Sequence, residues 1–174
     1  MSEASLPRTF RIDADVMRGL EEEAKKQGAT VNGLTCRILR KYVNVGTKLE
    51  QFQILSLPNK DLLDLLNSID EKTIAKLAAS MGRTTAKEII LQLYGDLSAK
   101  TYLQFLAIFL DGYSNWGSFY TEERDGAIKI RISHSLGSKW SHFLKNYLEA
   151  SSLEVTSQKP VFRHVSDYSV ILSL

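Results

Sequence analysis

The apolar residues of the first 45 positions recur first with the period of a strand and then with the period of a helix. The segment is too short to bury these residues on its own. Residues 8–12 alternate polar and apolar side chains, which is typical of a short, half-buried strand. Asp13 is suited to cap a helix, Gly28 to end it, and Thr30 to cap a second helix. The apolar residues that recur at helical spacing in the two helices are Val16, Met17, Leu20, Ala24, Val31, Leu34, Ile38, Leu39 and Tyr42. The pattern therefore predicts a strand, a helix, a turn and a second helix, in that order.

One copy of this unit is too small to be stable alone. A lone short strand leaves its backbone donors and acceptors unpaired, and two short helices bury too little apolar surface. If two copies associate, their strands pair as an antiparallel ribbon and the four helices share one core. We therefore predict a homodimer or a higher homo-oligomer.

This order of elements resembles the ribbon-helix-helix DNA-binding domain, the class that contains the MetJ and Arc repressors. The likeness rests on the alternating strand, the apolar stripes of both helices and the Gly28-Ala29-Thr30 turn. It covers residues 7–44, about a quarter of the chain, and includes no single invariant motif. We expect a flexible N-terminus over residues 1–6, the DNA-binding domain over 7–44, a linker over 45–57 and an α+β domain over 58–174.

The resemblance implies that the ribbon enters the major groove of DNA. Phe10 and Ile12 are expected to point into the shared core, so that Thr9 and Arg11 face the bases. Arginine can donate two hydrogen bonds to guanine, and threonine can contact a base edge or a thymine methyl. Arg8 is better placed for a phosphate. The alternative is that Thr9 and Arg11 form only the solvated face of a β-ribbon.

A phosphate site is expected at the start of the second helix, over Thr30, Val31 and Asn32. Free backbone N–H groups and the helix dipole favour an anion there, and the family clamps the DNA backbone at this place. A plain N-cap at Thr30 explains the same residues equally well, and the two roles are compatible.

Composition places the chain among folded globular proteins. The single cysteine cannot form an internal disulfide, which indicates a reducing compartment or no dependence on the redox environment. Hydrophobic residues make up 44% of the chain and charged residues 24%, which excludes disorder as the dominant state. The net charge is only +2, and all of this excess lies in residues 1–45, which hold eight basic and six acidic side chains. The first residues lack the apolar core of a secretory signal, and no apolar run is long enough to cross a membrane. We expect a cytoplasmic protein with no membrane partner.

Residues 58–174 predict a mostly helical segment followed by a small antiparallel sheet with an amphipathic helix. The expected helices cover 59–69, 70–81, 84–94 and 98–110, with N-caps at Asp70, Thr84 and Ser98 and a capping box at Thr85 and Glu88. The segment 102–110 is apolar enough for a central helix or a subunit interface.

The strand candidates follow these helices. An Asp-Gly turn separates strands at 118–123 and 127–134, a helix around 140–148 follows, and a closing strand covers 168–172. A further strand, interrupted by Pro160, is expected within 154–163.

A second nucleic-acid signal lies in residues 74–87, which resemble a helix-turn-helix with Ala78 and Gly82 at suitable positions. Arg83 and Glu88 fall where that motif needs buried apolar residues, and Lys87 is the only basic residue of its would-be recognition helix. Ordinary helix packing is the favoured interpretation.

The sequence contains no motif that indicates an enzyme, a cofactor or a metal site. His134, His142 and His164 have no metal-ligand spacing, so we expect structural or surface roles for them. The single cysteine, Cys36, is expected to be a small buried residue rather than a redox sensor. The aromatic residues of the C-terminal half are expected to form a core, with a ligand pocket as the alternative; they include Tyr113, Trp116, Phe119, Tyr120, Trp140, Phe143 and Tyr147.

These observations favour a sequence-specific, DNA-binding transcriptional regulator. Residues 58–174 would then bind a small-molecule or protein effector or set the oligomeric state. Two alternatives remain open: an antitoxin-like protein with a partner-binding C-terminus, and a DNA-partition or architectural scaffold.

Overall fold

The structure, a computed structural model, describes residues 6–47, 57–113, 116–124 and 126–174. The chain divides into two compact units, residues 1–53 and residues 54–174, each of which is described by itself. Together they contain helices and one antiparallel sheet, so the predicted mixture of helix and sheet is confirmed. Most of the predicted flexible N-terminus and of the predicted linker lies outside the described residues.

The N-terminal unit contains two helices, α1 (Ala14–Lys26) and α2 (Val31–Lys41), at the places that the apolar spacing predicts. A π-helical turn, Tyr42–Gly46, continues α2. Gly28 has a φ of 61°, which a residue with a side chain rarely adopts, and the amide of Ala29 returns to the carbonyl of Ala24 at 2.9 Å. Glycine therefore ends α1 as expected.

The strand predicted over residues 8–12 is not formed in the single chain. Residues 6–13 precede α1 and belong to neither a strand nor a helix. A strand exists only through the ladder that it shares with a neighbour, and among the described residues the single chain places no strand beside this segment. The sheet lies instead in the C-terminal unit.

The C-terminal unit begins with the predicted series of helices: α3 (Asn59–Asn67), α4 (Glu71–Arg83), α5 (Thr85–Tyr94) and α6 (Ala99–Leu106), which continues as a π-helix, Ala107–Tyr113. Asp70 and Ser98 act as the expected N-caps, since their side chains accept the amides of Thr73 at 3.0 Å and Thr101 at 3.2 Å.

Thr84 occupies the expected N-cap position, but its side chain makes no capping bond. The capping box expected at Thr85 and Glu88 is wrong, because Thr85 is already the first residue of α5. The hydroxyl of Thr84 donates to the carbonyl of Ser80 at 3.0 Å, because the backbone of Thr84 is itself helical and turns its side chain toward α4. Ser98 and Thr101 form a capping box instead, at the start of α6.

Four antiparallel strands follow in the spatial order β1-β2-β4-β3: β1 (Ser118–Arg124), β2 (Ala127–Ser133), β3 (Val161–Ser166) and β4 (Ser169–Ser173). The predicted hairpin is confirmed, since Arg124 pairs with Ala127 and Gly126 takes a φ of 76° in the turn. Ile130 and Ile132 are fully buried on one face, while Lys129 and Arg131 are exposed on the other.

The long helix α7 (Gly137–Thr156) connects β2 to β3. It extends beyond the predicted end and includes Glu154 and Val155, so the strand expected within 154–163 begins only at Val161, after Pro160. The helix continues because Ser151, Ser152 and Val155 lie on its buried face. It ends at Ser157, whose φ is 58°.

The core of this unit lies around α7, which packs most extensively against α4. Gly82 of α4 lies so close to α7 that a Cβ there would stand 2.5 Å from the carbonyl oxygen of Tyr147. The apolar segment 102–110 supplies buried side chains, which supports its role as a central helix. Its Tyr102 hydroxyl lies 2.8 Å from the hydroxyl of Ser151 in this core.

Candidate nucleic-acid interface

The two N-terminal helices bury very little between them. Ala24 and Leu34 are the buried apolar residues of this unit within the described range. The guanidinium of Arg37 donates to the side-chain oxygen of Gln27, so a polar contact joins α2 to the end of α1. Such a small contact surface gives the helix pair little stability of its own.

Large apolar side chains cover the outside of this unit: Leu6, Phe10, Ile12, Val16, Ile38, Leu39, Tyr42 and Val43 are all exposed. Phe10 is 68% exposed and Ile12 37%, so their predicted burial is not met within one chain. The prediction placed these side chains in a core shared by two copies, and the structure contains one chain. Such a set of exposed apolar side chains is typical of an association surface.

The three predicted ribbon residues Arg8, Thr9 and Arg11 lie in one segment outside any helix or strand, and all are exposed. In the part of the chain that the structure describes, none of them makes a side-chain hydrogen bond or an ion pair. Two guanidinium groups and a hydroxyl within four residues are therefore available to a partner.

The predicted phosphate residues Thr30, Val31 and Asn32 lie together at the start of α2. The hydroxyl of Thr30 accepts the amide of Gly33 at 3.1 Å, so its role as an N-cap is confirmed. The amides of Val31 and Asn32 belong to the first turn, where a helix offers donors to an anion. Asn32 is exposed, and Val31 is partly buried.

Cys36 is exposed, so its expected burial is wrong for the single chain. It lies on the side of α2 away from Leu34, where its thiol stands 3.9 Å from the side-chain oxygen of Asn32.

The helix-turn-helix alternative has no support in the structure of α4 and α5. Ala86, Ile89 and Ile90 of the would-be recognition helix are buried in the C-terminal unit. Lys87, its basic residue, contacts Glu154 of α7 at 2.6 Å. The exposed residues of this helix, Glu88, Leu91 and Gln92, include no basic side chain for DNA.

The three histidines lie at separate places. Within the described ranges, no three His, Cys, Asp or Glu residues stand close enough to hold a metal ion. His142 and His164 are exposed, whereas His134, just after β2, is half-buried.

The hydrogen bonds of His134 stabilise the neutral form of its imidazole ring. The hydroxyl of Ser141 donates to the carbonyl of Ser166, so Nε2 of His134 is the donor to that hydroxyl, at 2.8 Å. Nδ1 accepts the amide of Leu136 at 3.2 Å. A proton on Nδ1 would point at the N–H of Leu136 and remove this hydrogen bond.

Burial lowers the pKa of His134 below its ordinary value of 6.5. Protonation therefore favours the unfolded chain. We expect the stability of the C-terminal unit to be constant above about pH 6.5 and to fall as the pH decreases below that value. The fall ends once the pH is below the lowered pKa of the folded state. Thermal unfolding between about pH 5 and about pH 8 measures this dependence.

Matched substitutions identify the histidine responsible. His134→Asn keeps an acceptor for the amide of Leu136 but cannot take a proton in this range, so it should flatten the profile. His142→Asn and His164→Asn, at exposed positions, should leave the profile unchanged. A profile that His134→Asn does not alter would contradict the assignment.

Most aromatic residues of the C-terminal half form a packed cluster, as expected for a core. Trp116 also borders a pocket of about 170 Å³ beside His134. Trp116 makes edge contacts with Trp140, Phe143 and Tyr147, with ring centroids 5.1 to 5.6 Å apart. Phe109 extends the cluster at 5.0 Å from Trp116. Tyr120 is not part of it, since it is 63% exposed on the other face of the sheet. The side chain of Tyr113 lies outside the described residues.

Sequence reasoning missed one surface, the outer face of the β1–β2 hairpin. Tyr120, Glu122, Lys129 and Arg131 line a pocket of about 420 Å³ there. The alternation in β2 placed Lys129 and Arg131 away from the core, but their neighbours follow only from the register of β1 on β2.

In comparisons with known proteins, no family model, no curated protein and no solved structure matches this chain. Across the described residues, no helix combines the length and the apolar character that crossing a membrane requires.

Proposed function

We propose that this protein is a dimeric, sequence-specific DNA-binding transcriptional regulator of the ribbon-helix-helix type. The observation that supports the proposal is the set of exposed apolar side chains of the N-terminal unit. A segment outside any helix, two helices and a Gly28 turn follow in the order of that fold, and Phe10 and Ile12, exposed in the single chain, would be buried by a second copy. Two such segments, paired antiparallel, would form the ribbon.

In the proposed dimer Thr9 and Arg11 face the bases of the major groove. Burying Phe10 and Ile12 against the second copy turns the intervening side chains outward, because neighbours on a strand point to opposite faces. Arg11 then reads guanine through its O6 and N7 atoms, and Thr9 contacts an adjacent base edge.

Backbone contacts position the ribbon in the proposal. Arg8, at the edge of the ribbon, binds a phosphate, and the first turn of α2 at Thr30, Val31 and Asn32 binds another. Thr30 already accepts the amide of Gly33, so the amides of Val31 and Asn32 are the donors assigned to the phosphate.

The C-terminal unit would bind an effector or set the oligomeric state. It has its own core around α7, which supports a folded sensing domain rather than a segment that folds only on a partner. The coupling between an effector and DNA would be about 1–3 kcal/mol, as in other allosteric proteins.

Selection from randomised duplex DNA tests the proposal. We expect the wild-type chain to enrich a short inverted repeat at near-physiological salt. Arg11→Ala should lose one base preference, at a cost of about 1–3 kcal/mol for that position. Arg8→Ala should weaken binding to all sequences equally, because a phosphate contact carries no sequence information.

Arg83→Ala is the matched control, since it removes an exposed arginine from α4 in the other unit. It should leave both affinity and preference unchanged. If the wild-type chain enriches no sequence, or if Arg11→Ala behaves as Arg83→Ala does, the ribbon does not read bases and the proposal fails.

A further inference from the structure

The outer face of the β1–β2 hairpin groups four side chains of complementary chemistry. The strand register sets Tyr120 directly opposite Arg131, and Glu122 directly opposite Lys129. Side chains of directly opposed residues on one face of a sheet are close neighbours. An aromatic ring, a guanidinium, an ammonium and a carboxylate therefore share one patch.

These four side chains are not engaged in hydrogen bonds or ion pairs with described residues. Within the described ranges, none of them has a side-chain hydrogen bond, and the ion pairs join other residues: Glu23 with Lys26, Lys87 with Glu154, and Glu149 with Lys159. Glu122 and Lys129 are neighbours without forming an ion pair. Unpaired charges that face each other across a pocket remain available to a ligand.

The patch is concave and uncovered within its unit. Its pocket measures about 420 Å³, within the range of small-molecule sites. The helix α7 packs on the opposite face of the sheet, where Ile130 and Ile132 are buried. On β4 the register places Ile171 beside Arg131, which extends the patch with an apolar surface.

The charges select the kind of ligand. Two cations and one carboxylate leave a net charge of +1, which favours an anion over a zwitterion. Arginine beside lysine suits a phosphate, since the guanidinium binds its oxygens in pairs and the ammonium adds a point charge. A bare inorganic anion would be repelled by Glu122 and would leave the ring of Tyr120 unused.

A ligand that uses all four groups has a phosphate, a planar ring and hydrogen-bond donors. Bases stack on exposed aromatic rings, and a carboxylate accepts hydrogen bonds from hydroxyl or amino groups. We propose that Tyr120, Glu122, Lys129 and Arg131 form a binding site for a nucleoside phosphate. Arg131 and Lys129 bind the phosphate, Tyr120 stacks on the base, and Glu122 accepts from the sugar or the base. The site belongs to the C-terminal unit and does not depend on the DNA-binding proposal.

Calorimetric titration of the full chain tests this site. The probes are the four ribonucleoside 5′-monophosphates, inorganic phosphate, adenosine and a short single-stranded oligonucleotide. We expect at least one monophosphate to bind more tightly than both inorganic phosphate and adenosine, because only the monophosphate engages the cations and the ring together.

Substitutions then assign the binding to this face. Arg131→Gln should weaken the monophosphate about 10- to 100-fold, as expected for loss of charged hydrogen bonds. Tyr120→Ala should weaken it about 10-fold or more through lost stacking. Arg163→Gln removes an exposed arginine of β3, and Tyr168→Ala an equally exposed tyrosine, so both serve as controls without effect.

Several results would overturn the proposal. They are the absence of monophosphate binding at millimolar concentration, equal binding of inorganic phosphate, and equal losses in the control variants. Tighter binding of the oligonucleotide than of every monophosphate would assign the face to single-stranded nucleic acid instead. A change of oligomeric state in Arg131→Gln would assign it to a second copy of the chain.

Discussion

Phe10→Ala is expected to convert the protein from a dimer to a monomer. In the single chain this ring is 68% exposed, but in the proposed dimer it lies in a core formed by both copies. Removal of a buried phenylalanine side chain costs about 3–5 kcal/mol, and a dimer loses two of them. The dissociation constant should therefore rise by more than about a hundredfold, and specific DNA binding should be lost with the ribbon. Sedimentation equilibrium over a range of protein concentrations measures the first effect.

Tyr168→Ala is the matched control for this substitution. Tyr168 is 66% exposed, almost the same as Phe10, but it lies in the turn between β3 and β4 of the other unit. Its removal should leave the dimer intact. If both substitutions have equally small effects on association, the exposure of Phe10 is that of an ordinary surface residue, and the shared core does not exist.

Gly82→Val is expected to destabilise the C-terminal unit although valine forms helices better than glycine does. Its Cβ would stand 2.5 Å from the carbonyl oxygen of Tyr147 and 3.1 Å from the Cβ of Ala150. Both neighbours belong to α7, so the helices α4 and α7 would have to separate. Overpacking of this kind costs about 1–3 kcal/mol, and a contact with backbone atoms places the effect at the upper end of that range or beyond it.

Urea unfolding followed by tryptophan fluorescence measures this loss. Trp116 and Trp140 lie together in the aromatic cluster of the C-terminal unit, so the signal reports on that unit. Ser80→Ala, at an exposed position of the same helix, is the control, and its better helix propensity should leave stability equal or higher by up to about 0.5 kcal/mol. A Gly82→Val chain as stable as the wild type would show that α4 does not approach α7 so closely.

The helices of the chain were predictable because the signals for them are local. A cap such as Asp70 acts three residues along the chain, and the apolar stripe of a helix repeats within each turn. The errors arose where a local preference competed with the tertiary environment. Thr84 turned its hydroxyl to Ser80, and α7 continued past Glu154 because its buried face continued.

The candidate DNA-contacting residues could likewise be predicted from the sequence, because strand alternation assigns Thr9 and Arg11 to one side without knowledge of the partner. Only half of the outer face of the hairpin could be predicted from the sequence. Alternation set Lys129 and Arg131 on one side of β2, but the register of β1 decides that Tyr120 and Glu122 stand opposite them. Register is a property of two strands together and is not contained in the pattern of either one.

The amino-acid sequence by itself determined the helices, the Asp-Gly hairpin and the shortage of core in the N-terminal unit, since each depends on residues close along the chain. Only the tertiary structure decided the strand order β1-β2-β4-β3, the close approach of Gly82 to α7 and the packing of Trp116 against Trp140. These features join residues that are distant in sequence. Their geometry depends on how whole helices and strands fill the space between them at close packing, which local periodicity does not specify.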